Sequence, residues 1–360
     1  MRVALVSHER RAARPIGGEA FDARVYALSP GNVAFLRELG AWDALPQERL
    51  APVYAMRVYG DDGASSLDFD AYRAGVPELA WIVEDAALQD ALWSGLNVEQ
   101  FAPAECESLE QQPDKVLLKL RGGSELVASL VVGADGANSF VRRAARIAAD
   151  DVAYGQSAVV ANLHCETPHA DTAWQWFQGG PVLALLPLPG AQVSMVWSLP
   201  STEAQRVAAL EPEALCREVE AASRGALGAL RVASPRKSYP LRRLSARRLV
   251  APRIALVGDA GHVIHPLAGQ GLNLGLQDAR ALADALARRE PVRDPGDARL
   301  LRRYERARAE PILAMDSLID GLFHLFNGNH PLVFRLRNAG LNLTDRIAVL
   351  KNILVRHAMD

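Results

Sequence analysis

Residues 254–275 read IALVGDAGHVIHPLAGQGLNLG and form the most informative pattern in the chain. The wholly apolar run at 254–257 predicts a short buried β-strand. The carboxylate of Asp259 follows soon after it, and a carboxylate at the carboxyl end of a strand in an α/β sheet is well placed to bind sugar hydroxyls. Glycines then lead into an amphipathic helix, whose free N–H groups and dipole can stabilise an anionic oxygen.

The glycines alone are equally compatible with an ordinary glycine-rich helix start that binds nothing. The complete order of features is what favours a ligand site. A buried strand is followed by a Gly-Asp turn, then by His265-Pro266, and then by Gly-x-Gly-x-Asn at residues 269–273. We therefore interpret this stretch as a binding site at the end of a strand.

A second passage from strand to turn occurs at residues 130–139, LVVGADGANS. Taken alone, Gly-Ala-Asp-Gly is a common turn, and that ordinary interpretation would be preferred. Its place upstream of the Gly-Asp turn, with Arg142 and Arg143 following, makes Asp135 and Gly136 better candidates for ligand contact.

The segments around these motifs predict an α/β fold. Strands with helices are expected at the start of the chain, where residues 3–6 form a buried strand, near 125–135 and at 251–288. A block rich in β-formers, residues 159–199, separates them. This alternation predicts a parallel α/β domain assembled from distant segments, which carries an inserted β-sheet domain.

The composition excludes several other classes of protein. The 360 residues are 49% hydrophobic and 23% charged, as in an ordinary folded protein, and the net charge of −2 gives no general attraction to nucleic acid. The three cysteines, Cys106, Cys165 and Cys216, indicate neither a disulfide framework nor a metal site. No apolar run reaches the length of a membrane span, and the first residues are unlike a signal peptide, so a cytoplasmic protein is expected.

Both motifs resemble the GD and DG motifs of class A flavin monooxygenases, the FAD-dependent aromatic hydroxylases that include 4-hydroxybenzoate hydroxylase. The resemblance covers nearly the whole chain and is greatest to the ubiquinone-biosynthesis branch, which residues 238–241, 304–308 and 336–341 also match. It implies a Rossmann-like three-layer FAD-binding domain, an inserted β-sheet substrate domain and C-terminal helices. The implied boundaries are 1–53, 80–155 and 245–300 for the first, 54–79 and 156–244 for the second, and 301–360 for the third.

The resemblance also implies a set of FAD-contacting residues. Asp259, after Gly258, would hold the ribityl chain, and Asp135 with Gly136 would lie at the FAD and NAD(P)H sites. Near the flavin ring and its turn it implies Pro266, Gly269, Gly271, Leu272 and Asn273.

Two further residues match the family less specifically. Arg24, within FDARVYALSP at 21–30, would approach the FAD pyrophosphate, and a guanidinium suits phosphate geometry. Gln89 occupies the place of a glutamine near FAD. For each of them, a solvated surface residue is an equally good interpretation.

One feature of the family is missing from the sequence. No G-x-G-x-x-G occurs, although in this family that loop holds the FAD pyrophosphate after the first strand. We expect an N-terminally truncated domain that lacks a strand, loop and helix of about 30 residues. Either the start is misassigned or cut, or the chain is a genuine short form that binds FAD weakly or not at all.

The implied reaction is hydroxylation of an aromatic ring. NAD(P)H reduces the flavin, O2 reacts with it, and a polyprenylated phenol receives one oxygen atom. FAD supplies this chemistry, so no catalytic side chain and no metal are predicted. Four aromatic residues of the β-rich block are candidates for a substrate wall, with coverage of a sheet face as the alternative: Trp174, Trp176, Phe177 and Trp197.

Three alternatives concern partners and function. The residues after Pro331 carry a net charge of +3 among leucines and isoleucines, so this tail either lies on the inner face of the membrane or packs on the protein. The chain could also be a non-catalytic scaffold in a ubiquinone-biosynthesis complex, or a flavoprotein that acts on another substrate. No nucleic-acid partner is expected.

Overall fold

The computed structural model describes residues 2–9, 21–61, 65–265 and 269–327, with side chains described up to residue 321. The chain forms two compact units, each assembled from separated segments. The first contains residues 1–13, 95–152 and 242–319, and the second contains residues 14–94, 153–241 and 320–360, so far as these are described.

The described strands are β1 (Ala4–Val6), β2 (Val25–Leu28), β3 (Ala51–Val53), β4 (Ala55–Tyr59), β5 (Ser66–Asp70), β6 (Ala80–Glu84), β7 (Glu99–Phe101), β8 (Cys106–Gln111), β9 (Val116–Leu120), β10 (Glu125–Ala128), β11 (Val131–Gly133), β12 (Ala149–Cys165), β13 (Thr172–Phe177), β14 (Val182–Leu188), β15 (Gln192–Pro200), β16 (Leu230–Val232), β17 (Lys237–Ala246), β18 (Val250–Ala251), β19 (Ile254–Leu256) and β20 (His262–Val263). The α-helices are α1 (Pro30–Glu38), α2 (Ala71–Ala74), α3 (Asp85–Ser94), α4 (Phe140–Ala144), α5 (Ser201–Ala208), α6 (Pro212–Ala222), α7 (Gly271–Ala287) and α8 (Ala298–Asn327). Short 3₁₀ helices occupy Gln47–Arg49 and Gly258–Ala260.

The first unit contains parallel strand pairs, as predicted. β1 pairs with β7, and β11 pairs in parallel with β19, whose other neighbour is β18. The paired strands come from distant parts of the chain, which confirms the expected α/β fold built from separated segments. β1 differs from the prediction in one respect. Its residues are exposed or half-buried rather than buried, and Val3 before it is 52% exposed.

β19 is buried on both faces, which explains its wholly apolar sequence. Ile254 and Leu256 point into a core shared with Val141 of α4 and Ile147. Ala255, between them on the other face, packs in a second core with residues of α7 and α8. The strand is therefore the middle of a layered arrangement, with its carboxyl end held between two cores.

The second unit contains a large sheet in the order β12-β15-β14-β13-β4-β5, which is antiparallel except for the parallel pair of β13 and β4. β4 and β5 form a β-hairpin, whose turn residues 62–64 lie outside the described residues. A separate antiparallel sheet, β2-β6-β3, belongs to the same unit. The β-rich block is therefore confirmed as a sheet structure.

The aromatic residues proposed as a substrate wall lie on two different faces of this sheet. Trp174, Trp176 and Trp197 belong to the core that includes residues of α5 and α6. The alternative interpretation, that these residues cover a sheet face, therefore describes them better than a substrate wall does. Phe177 follows Trp176 directly and therefore points to the opposite face. On that opposite face, Leu188 packs in the core shared with the β2-β6-β3 sheet.

The two compact units divide the chain differently from the predicted domain boundaries. The described residues from 21 to 53 and from 80 to 94 fall in the second unit, because their strands pair with one another and pack against β13 and β14. Compactness does not show which segments hold a cofactor, so the predicted FAD-binding boundaries stay a prediction. In the described part of the chain no helix is long and apolar enough to cross a membrane.

Candidate functional site

The Gly-Asp turn lies at the carboxyl end of β19. Gly258 has φ of +60°, a backbone conformation that glycine adopts without strain. A β-carbon on Gly275 of α7 would lie 3.3 Å from the Gly258 α-carbon, so the helix and the turn approach each other backbone to backbone. Asp259, the next residue of the turn, is exposed and can be reached by a ligand.

Side chains from three different helices hold alternate residues of this strand and turn. The Tyr304 hydroxyl of α8 donates to the Leu256 carbonyl oxygen at 2.6 Å, and burial raises the pKa of that phenol. The Gly258 N–H donates to the Asp278 carboxylate of α7 at 3.0 Å. Arg142 of α4 donates to the Ala260 carbonyl oxygen at 2.7 Å. Residues 256, 258 and 260 are thus each fixed, on both sides of Asp259.

Arg142 also joins the two predicted motifs. Its second terminal nitrogen donates to the Ala137 carbonyl oxygen of the Asp-Gly turn at 2.8 Å, while the first binds Ala260. Burial lowers the pKa of this guanidinium, which is 7% exposed. One forked side chain therefore sets the spacing of both turns, which the parallel pairing of β11 and β19 already places at one edge.

The Asp-Gly turn has its own local anchors. The Asp135 carboxylate accepts a hydrogen bond from the Val141 N–H at 3.1 Å, and Ser139 caps α4. Gly136 has φ of +76°. A β-carbon on Gly133 would lie 2.8 Å from that of Val141, so only glycine fits where the strand meets the helix. Asp135 is exposed and so remains accessible to a ligand.

α7 begins with an open amino terminus. Its first helical residue is Gly271, and a β-carbon there would meet nothing within 4 Å. Gln270 gives no side-chain cap to the helix, while its side-chain oxygen accepts a hydrogen bond from the amide of the buried Asn273. Gly269 has φ of +65°, and Leu272 is half-buried. The first-turn N–H groups of such a helix carry partial positive charge, which suits an electron-rich edge of a bound cofactor.

Pro266 lies outside the described residues. His265, immediately before it, is 1% exposed, and burial lowers the pKa of its imidazole to about 4. His265 is therefore neutral at physiological pH.

A buried ionic network that sequence analysis missed supports the Gly-Asp turn. The Asp278 carboxylate is fully buried and accepts from His262 Nε2 at 2.6 Å and from Arg308 Nε at 2.6 Å. The available signal was an aspartate on the apolar face of α7, four residues from both Leu274 and Leu282. A charge in such a position requires buried partners.

In the second unit the structure brings Arg24 and Gln89 together at one residue, Asp85. The Asp85 side chain accepts from Gln89 Nε2 at 2.9 Å and from the Tyr26 hydroxyl at 3.0 Å, and its N–H donates to the Arg24 carbonyl oxygen. The Arg24 guanidinium lies over the rings of Tyr26 and Tyr239, at 5.4 and 5.7 Å from their centroids. The Arg24 side chain is exposed.

The short segment before Arg24 is firmly held. The buried Glu84 carboxylate accepts from the Asp22 N–H at 2.5 Å and from both Arg49 Nε and Nη2, at 2.6 and 2.8 Å. The Asn162 amide of β12 donates to the carbonyl oxygens of Phe21 and Asp22, at 2.9 and 3.0 Å. Arg24 therefore projects from a rigid backbone, as a phosphate-binding residue should.

Among the residues that the structure describes, no group of three or more His, Cys, Asp or Glu side chains could hold a metal ion. The geometry of the first unit instead fits FAD. Two turns at the ends of neighbouring parallel strands present exposed carboxylates, and the glycine cradle at Gly258 and Gly275 leaves no room for side chains between turn and helix.

Comparison with known proteins agrees with this geometry. Residues 22–315 match the family described as "FAD binding domain". The chain is 35% identical over 346 residues to 3-demethoxyubiquinol 3-hydroxylase from Escherichia coli, and the alignment covers 94% of this chain and 87% of that protein. It is also 35% identical over 344 residues to ubiquinone hydroxylase UbiL from Rhodospirillum rubrum, covering 94% and 80%.

Solved structures give the same result for the fold. Pseudomonas aeruginosa PqsL in complex with 2-aminobenzoylacetate superposes with a TM-score of 0.74 at 26% identity, covering 94% of this chain and 92% of that one. The family match spans both compact units, and the ubiquinone hydroxylases match nearly the whole chain. The chain therefore belongs to the FAD binding domain family, among relatives that are ubiquinone-biosynthesis hydroxylases.

Proposed function

We propose that the protein is an FAD-dependent monooxygenase that hydroxylates the aromatic ring of a polyprenylated phenol in ubiquinone biosynthesis, with NAD(P)H and O2 as co-substrates. The observation that carries the proposal is the triple anchoring of the Gly-Asp turn, which presents the exposed Asp259 between residues fixed by Tyr304, Asp278 and Arg142. The relatives named as ubiquinone hydroxylases support the substrate class.

The described residues divide the binding of FAD among them. Asp259 would accept hydrogen bonds from the ribityl hydroxyls, and the N–H groups that follow Gly271 would face the electron-rich edge of the flavin ring. Asp135 and Gly136 would border the same cofactor. Arg24 would neutralise the pyrophosphate, with Gln89 beside it.

When bound, FAD supplies the redox chemistry, and the chain binds, orients and shields the reacting groups. The β-rich segments, 54–79 and 156–244, would form the substrate domain, as the sequence predicted. Phe177 lies on the sheet face opposite the buried tryptophans and is 5% exposed. We assign no side chain the role of a catalytic acid or base.

The prenylated substrate suggests where the protein works. A lipid-soluble phenol is reached most easily by a protein at the inner face of the membrane, either alone or within a biosynthetic complex. Sedimentation with vesicles of anionic and of neutral lipid tests this localisation. A protein that binds neither type of vesicle would contradict it.

The absorbance spectrum of the purified chain, before and after addition of FAD, tests the cofactor. Retention of the flavin bands through gel filtration, followed by NADH or NADPH oxidation and mass-spectrometric detection of a product heavier by one oxygen atom, is expected. A protein that stays colourless would favour the non-catalytic scaffold. Bound flavin with another product would favour a flavoprotein acting on a different substrate.

A further inference from the structure

A carboxylate outside both predicted motifs lies directly beneath the Gly-Asp turn. We propose that Asp278 of α7 is a positioning residue for FAD. Its carboxylate holds the turn in the shape that presents Asp259 to the cofactor. This inference rests on the proposed function, because it takes FAD as the ligand of the turn.

The hydrogen bonds of Asp278 bracket the turn. One of its carboxylate oxygens, Oδ2, accepts both from the Gly258 N–H at 3.0 Å and from His262 Nε2 at 2.6 Å. Gly258 opens the turn and His262 follows it, so one oxygen atom ties both ends. The exposed Asp259 lies between these two fixed points.

The second oxygen of Asp278 fixes the carboxylate itself. It accepts from Arg308 Nε at 2.6 Å, and the same guanidinium also donates to the side-chain oxygen of Gln277 at 3.1 Å. Asp278 is 0% exposed and Arg308 is 5% exposed. A charge pair buried so deeply is costly unless its geometry is good, so the carboxylate has little freedom to rotate.

A second arginine–aspartate pair in the same unit, between the buried Arg253 and the part-exposed Asp294, provides a comparison. Arg253 donates to Asp294 at 2.6 Å and to the carbonyl oxygens of Pro113 and Ser129 at 2.9 Å each. None of these hydrogen bonds involves the Gly-Asp turn. Asp278→Asn and Asp294→Asn therefore make the same chemical change in two aspartates that pair with buried arginines of one unit, and only the first aspartate contacts the turn.

The first measurement needs no cofactor. Hydrogen–deuterium exchange of the FAD-free full chain should show faster uptake over residues 256–263 in Asp278→Asn than in the wild type or in Asp294→Asn. The Gly258 N–H loses its charged acceptor, and an amide oxygen in its place is a weaker one. Unchanged uptake over this segment would overturn the proposal.

The second measurement is the dissociation constant of FAD, from the quenching of flavin fluorescence. We expect Asp278→Asn to raise it about tenfold or more and Asp294→Asn to change it less than about threefold. Equal changes in both variants would reduce Asp278 to a structural residue and overturn the proposal.

A milder pair of variants covers the case in which Asp278→Asn fails to fold. His262→Gln keeps a donor to Asp278, whereas His262→Leu removes it. Glutamine should retain FAD affinity within about threefold and leucine should lose about tenfold, and equal affinities would overturn the proposal. A wild-type chain that binds no FAD would contradict the proposed function. The hydrogen–deuterium exchange of the FAD-free chain would still decide whether Asp278 shapes the turn.

Discussion

Gly275 of α7 and Gly258 of the Gly-Asp turn touch through their backbones, since a β-carbon on Gly275 would lie 3.3 Å from the α-carbon of Gly258. That distance is tighter than ordinary side-chain contacts, so one of the two segments must shift to admit a methyl group. The contact couples the start of the helix to the strand end, which are the two parts that the proposed cofactor would touch.

Gly275→Ala should therefore weaken FAD binding even though alanine favours helices. Gly321→Ala of α8 is the matched control, because its β-carbon would meet nothing within 4 Å. The control should gain up to about 1 kcal/mol in the free energy of unfolding, while crowding of about 1–3 kcal/mol should cancel that gain at Gly275. Urea unfolding measures both, and equal gains would contradict the close approach.

Asp259→Asn should raise the dissociation constants of FAD and of riboflavin alike, by about tenfold, because both ligands carry the ribityl chain. Fluorescence quenching measures the two constants. Asp284→Asn, which changes an exposed aspartate of α7, should leave them unaltered. Loss of FAD affinity without loss of riboflavin affinity would move Asp259 away from the ribityl chain.

Arg24→Ala should show the opposite selectivity. Riboflavin has no pyrophosphate, so the change should weaken binding of FAD by about 10- to 100-fold and leave riboflavin unaffected. The exposed Arg73 of α2 provides the control for loss of one positive charge, and Arg73→Ala should alter neither constant. Equal weakening of both ligands would show that Arg24 does not act through phosphate.

Arg142→Lys should destabilise the first unit by about 1–3 kcal/mol, because one ammonium cannot replace the fork that binds Ala137 and Ala260, and a buried carbonyl oxygen is left without a donor. Arg143→Lys changes the exposed neighbour and should cost less than about 0.5 kcal/mol. Urea unfolding followed by fluorescence distinguishes them. Similar losses would contradict the clamp.

His265 should make stability depend on pH in the acidic range. Burial lowers the pKa of its imidazole from 6.5 to about 4, so between these values the unfolded chain binds a proton that the native protein does not. The free energy of unfolding should fall by up to about 1.4 kcal/mol per pH unit as the pH decreases through this window. In His265→Gln this dependence should be absent, so parallel curves for the two proteins at pH 7, 6 and 5 would refute it.

Sequence reasoning succeeded where the signal is local. The apolar run before Asp259 specifies β19, because a short, wholly apolar segment is typical of a strand buried on both faces. This signal depends on neighbours within a few residues. The short glycine turns were also predictable, because few other residues adopt their backbone conformations.

Features that depend on distant partners were not predictable. Asp278 acquires its role from Arg308, thirty residues later, and from the Gly258 N–H. For Trp174 and Trp176, alternation along β13 indicates that they share a face, but not that this face packs in the core with α5 and α6. The division into compact units likewise depends on the packing of β2 and β6 against β14. No short stretch of sequence contains both partners of this packing.

The clamp of Arg142 on Ala260, 118 residues later in the chain, has a consequence for biosynthesis. The parallel pairing of β11 with β19 must wait until β19 is made, and the turn gains the anchors of Tyr304 and Arg308 only when these residues have left the ribosome. Contacts over such sequence separations close slowly. The nascent chain must therefore carry the proposed cofactor site in an unfinished form until Arg308 has been made, and flavin can act as a folding ligand only after that point.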